Sequence, residues 1–73
     1  NKENIEKSYR YSTLAVKLEP NNIIFMENYA EALYSKGLYN KAINTIQKAL
    51  TLDPEKLFLK NLKIIFMKKH IYI

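Results

Sequence analysis

The two prolines of this 73-residue chain close the same kind of segment, Leu18-Glu19-Pro20 and Leu52-Asp53-Pro54, 34 residues apart. Proline has no N–H with which to continue a helix and biases the residue before it away from helical angles, so each is a stop signal. Ahead of the second stop, Ala42, Ile43, Ile46, Ala49 and Leu50 recur at the three-and-four spacing of one apolar helical stripe. Met26, Tyr29, Ala30 and Leu33 make another, and Gly37 stands between them, where a helix ends in a left-handed residue. The stretch 21–54 therefore reads as a helix–turn–helix hairpin. Sliding the chain by 34 residues lays Ile5 on Tyr39, Ser8 on Ala42, Ala15 on Ala49, Val16 on Leu50 and Leu18 on Leu52. Small residues fall on small ones and larger apolar residues on apolar or aromatic ones, which marks an internal repeat.

The pattern predicts an all-α chain of four helices: Glu3–Leu18, Ile23–Lys36, Tyr39–Asp53, and a fourth from about Glu55. Pro54 is expected in the first turn of that last helix, with Glu55 favourable against its dipole. Ile5, Tyr9, Ser12, Leu14, Ala15 and Val16 are expected on the buried side of the first helix. Asn21 or Asn22 would cap the second by accepting hydrogen bonds from its free N–H groups. The fourth is unusual, because Leu57, Phe58, Leu59, Leu62, Ile64, Ile65, Phe66 and Met67 occupy almost every side of the cylinder. A helix apolar all round expects neighbours on more than one face.

Met26, Tyr29-Ala30, Leu33, Ala42, Ile46 and Pro54 follow the order and spacing of a known pattern. In it, Trp, Leu-Gly and Tyr precede a later Ala, Phe and closing Pro. Met26 stands for the Trp, Tyr29-Ala30 for Leu-Gly, Leu33 for the Tyr and Ile46 for the Phe; Ala42 and Pro54 match outright. The chain thus resembles the tetratricopeptide repeat (TPR) family over Ile23–Lys56, with partial repeats on both sides. The resemblance implies a single domain, a fragment of a right-handed α-solenoid of about four antiparallel helices. Residues 1–20 would be the second helix of a partial repeat, 21–54 a complete repeat, and 55–73 the first helix of a further repeat or a capping helix. It further implies a non-catalytic module without cofactor that binds a partner protein or peptide on a concave face. Ile24, Glu27, Asn28, Glu31, Tyr34 and Ser35 would line or rim that face, joined by Phe58, Asn61, Ile65 and Lys68 from the last helix. The alternative is a self-assembly segment, forming homo-oligomers through its apolar first and last helices. A clamp for the acidic tails of the chaperones Hsp70 and Hsp90 fits less well. Asn28 matches its asparagine, but Phe58 and Leu62 replace its basic residues, and Glu27 and Glu31 would repel an acidic peptide.

Composition narrows the remaining chemistry. With no cysteine there is no disulfide framework, thiol nucleophile or cysteine metal site. His70, the one histidine, sits among Lys68, Lys69 and Tyr72 and reads as a solvated helix-end residue. Glu27 and Glu31 share a helical face, but no His or third acid lies at helical spacing beside them. The longest apolar runs, Ile23–Met26 and Ile64–Met67, are four residues each, far short of a membrane span. No signal peptide is visible, which favours the cytoplasm. Twelve Lys plus Arg against seven acids give a net charge of +5, which would attract acidic partners. The lysines are nevertheless spread over all four helices, with one patch at Lys60, Lys63, Lys68 and Lys69. Arginine occurs once and no stacking platform of aromatics appears, which argues against nucleic acid. A core this small is worth roughly 3–5 kcal/mol on its own.

Overall fold

The computed structural model describes residues 2–72, and the surroundings of side chains up to residue 68. Its helices are α1 (Lys2–Leu18), α2 (Ile23–Ser35), α3 (Tyr39–Leu52) and α4 (Leu57–Tyr72). Each packs on the next in chain order, α1 on α2, α2 on α3 and α3 on α4. Short turns make these neighbours antiparallel, and the stack is a slab of 33 × 33 × 16 Å. Among the described residues there is no strand.

Local chemistry sets the boundaries. Asn22, rather than Asn21, caps α2, its side chain accepting from the Phe25 N–H at 3.0 Å. At the other end Gly37 has φ +82°; its N–H donates to the Tyr34 carbonyl and the Leu38 N–H to the Leu33 carbonyl, both at 2.9 Å. That pair of reversed bonds is a Schellman closure and requires a left-handed residue. The fourth helix begins at Leu57, not near Glu55 as expected, because Pro54, Glu55 and Lys56 are spent in the turn. The Lys56 N–H donates back to the Asp53 carbonyl at 3.3 Å. Leu57 lies 34 residues after Ile23, the start of α2, so the repeat period locates this boundary better than the proline does.

The core joins three helices: Met26, Ala30 and Leu33 of α2, Ala42, Ile46 and Ala49 of α3, and Leu59 and Phe66 of α4. Ala30, Ala42 and Ala49 are wholly buried, and their small side chains let helix surfaces interlock closely. Leu33, Ile46 and Leu59 are the large side chains with no exposure; burying each contributes about 1.5–3 kcal/mol. In α1, Ser12 is buried and Tyr9 and Val16 pack partly against the core. Leu14 is the exception to the expected buried side, being 57% exposed. At 100° per residue it points about 200° away from Ser12.

Side chains tie α1 to the α2–α3 turn. Tyr9 stacks on Tyr29 with ring centroids 6.1 Å apart, and the Lys36 ammonium lies 4.4 Å over the Tyr9 ring. The same ammonium donates to Glu6 at 2.6 Å, and that hydrogen bond, with the attraction of its charge, holds the Glu6 carboxyl below the usual range. Burial, with Tyr9 beside it, raises the Tyr29 phenol.

Candidate functional site

At 100° per residue, Ile24, Asn28, Glu31 and Ser35 fall within a sector of about 60° on α2. The sectors on either side are occupied. Met26, Ala30 and Leu33 turn to the core, while Tyr29 stacks on α1. What remains is an open stripe, and all four residues are exposed. On α4, Phe58, Asn61, Ile65 and Lys68 make a second exposed stripe.

Two contacts set these stripes side by side although α2 and α4 are not consecutive. Tyr34 of α2 stacks on Phe66 of α4, with centroids 4.4 Å apart and planes 10° from parallel. Tyr39 of α3 meets the same Tyr34 ring edge-on at 5.0 Å. At the other end, Lys56 Nζ lies 2.8 Å from Glu27 Oε2. Repeats of equal length bring equivalent faces to one side, so α2 and α4 together present a surface of Ile24, Asn28, Glu31 and Ser35 beside Phe58, Asn61, Ile65 and Lys68.

Two residues expected on that surface have other work. Glu27 is 6% exposed, inside the fold. Its ammonium partner is close enough for an ion pair, though the approach is not aligned as a hydrogen bond. Tyr34 is half-buried and joins three helices, with burial raising its phenol. Lys56→Met should therefore cost about 1–3 kcal/mol, because it strands a buried carboxylate. Adding Glu27→Gln should recover most of that loss, and denaturant melts of the single and double variants measure it.

The α1–α2 side carries a feature that repeat logic alone did not single out. Ser8, Tyr11 and Ala15 of α1 face Phe25, Asn28 and Glu31 of α2 across an open cleft of about 530 Å³. The cleft walls desolvate Glu31, and repulsion from Glu27 adds to this, so its carboxyl lies above the usual range. Tyr11, 64% exposed, is the residue whose apolar character on a polar side signalled the cleft. The side chains of Lys69 and His70 lie outside the described residues. Among those described, no three His, Cys, Asp or Glu side chains gather closely enough to hold a metal. No described helix is long and apolar enough to cross a membrane.

A family model described as tetratricopeptide repeat matches residues 25–56, which span α2, the Gly37 turn, α3 and the Pro54 stop. Residues 25–56 are a tetratricopeptide repeat. The all-helical stack is accordingly a fragment of a helical-repeat solenoid, and α1 and α4 suit partial repeats on either side of the complete one. No curated protein matches the chain. TPR repeats generally mediate protein–protein interactions and are typically non-catalytic.

Proposed function

We propose that this chain is a single non-catalytic TPR domain that holds a partner polypeptide along the surface shared by α2 and α4. The supporting observation is the exposure, on two adjacent helices, of eight side chains that no other helix covers. Their chemistry suits an extended or helical peptide. Ile24, Phe58 and Ile65 offer apolar contact, each about half exposed. Asn28 and Asn61 carry amides that both donate to and accept from a peptide backbone, and Glu31 and Lys68 supply one charge of each sign.

Peptides selected on the immobilised chain from a random display library test this reading. Ile24→Ala and Ile65→Ala each remove one apolar contact without touching the core, and each should weaken binding about 5–10-fold. Selected peptides that bind both variants as tightly as the unaltered chain would place their site elsewhere. Tyr34→Ala is a poor test, since that ring holds α2, α3 and α4 together.

A further inference from the structure

Two faces of the stack lack a neighbour, and they are complementary halves of one hairpin. Leu57, Lys60, Ile64 and Met67 stand one repeat on from Ile23, Met26, Ala30 and Leu33, the side that α2 turns to α3. In α2 that side is closed, with Met26 3% exposed and Ala30 and Leu33 fully buried. In α4 it is open, with Ile64 53% and Met67 40% exposed over a cleft of about 550 Å³ that Leu50 and Lys63 also line. At the other end, Ser8, Ser12 and Ala15 stand one repeat before Ala42, Ile46 and Ala49 and line the α1–α2 cleft. One end has a first helix without its second; the other has a second without its first.

We propose that these ends pair between copies of this chain, α4 of one copy seating in the α1–α2 cleft of the next and completing a repeat across the junction. This rests on reading α1 and α4 as half repeats, and is separate from the peptide surface. Side-chain size supports it. In the complete repeat Ala30 and Ile46 share the buried cluster; at the junction their counterparts are Ile64 and Ser12. The large and small residues have changed places, an exchange that conserves volume and is the kind a packed interface tolerates. Charge also supports it. Described α4 residues include Lys60, Lys63 and Lys68 and no acid, whereas the cleft is lined by Glu31 and no Lys or Arg. Phe66, which meets the preceding first helix through Tyr34, has Ala32 as its counterpart, next to Glu31. Lys68, the counterpart of Tyr34, is thereby directed at the acidic end of the cleft. Finally, α4 stays helical through Ile71, one repeat on from Gly37. A hairpin within one chain needs a turn there; a junction between two chains does not.

Such a contact is head-to-tail, so it grows chains of copies rather than closing a two-fold dimer. Light scattering across a concentration series should give a mean mass that climbs above the 8.6 kDa of one chain. Ile64→Lys spoils the α4 end and Ser8→Arg spoils the cleft. Both positions are exposed, so both variants should keep their helical circular dichroism and the mass of a single chain. An equal mixture retains one sound end of each kind and should form a particle of twofold mass that grows no further. If either variant unfolds, Met67→Glu or Tyr11→Arg replaces it at the same end. A parent chain that stays monomeric at every concentration overturns the proposal and leaves the clefts to another polypeptide. A mixture no heavier than its components overturns it in favour of a two-fold contact. Peptide binding through Ile24 and Ile65 would survive either result.

Discussion

Leu33→Ala is expected to leave the chain largely unfolded in dilute buffer at room temperature. Leu33 has no solvent exposure and sits in the cluster that α2, α3 and α4 share. Truncating such a leucine removes its transfer free energy and leaves a cavity, together about 2–5 kcal/mol. The whole fold has roughly 3–5 kcal/mol to lose. Its neighbours cannot close over the gap, because Ala30 and Ala42 already bring the helices near their closest approach. Circular dichroism at 222 nm should show most of the helical signal gone, with the remainder melting without a sharp transition. Retention of a cooperative melt would mean that the core is not centred on this residue.

Phe66→Ala should cost a comparable amount, about 3–5 kcal/mol by core-truncation values, yet its effect should be local. Phe66 is 3% exposed and stacks on Tyr34. In a stack where each helix meets mainly its neighbours, stability is distributed unit by unit. α4 rests on α3 and has no helix beyond it, so losing its anchor should release α4 and leave α1–α3 paired. Amide exchange should rise over 57–68 by a hundredfold or more, as a loss of about 3 kcal/mol implies. Residues 26–50 should change far less. Global unfolding would show that the four helices form one indivisible cooperative unit.

The order and type of every helix were legible because proline, glycine and the three-and-four spacing act locally. The buried alanines could be read for the same reason: a helix crossing needs small residues wherever the chain places it. Glu27 and Tyr34 were not legible as structural residues. What holds them, Lys56 and Phe66, lies about a whole repeat away, and no local spacing rule connects them. Leu14 misled because apolar character signals burial only on average, and this leucine falls on the outer side of α1. The start of α4 misled because Pro54 is compatible with both a first turn and a preceding loop. The open stripe was legible once the period was known, since equivalent positions in equal repeats come to one side. The α1–α2 cleft was not singled out, because it is created by two helices meeting rather than by either sequence alone.

The central claim is that α2 and α4, one repeat apart, stand side by side and so build a common surface. A double-mutant cycle between Tyr34 and Phe66 measures this directly, using Tyr34→Leu and Phe66→Leu to keep the volume of each site nearly filled. Stacking aromatic pairs contribute about 0.5–1.5 kcal/mol beyond their burial, and the cycle should return a coupling of that size. Strictly additive losses, with coupling indistinguishable from zero, would mean that the two rings do not meet in solution and that the surface shared by α2 and α4 does not exist.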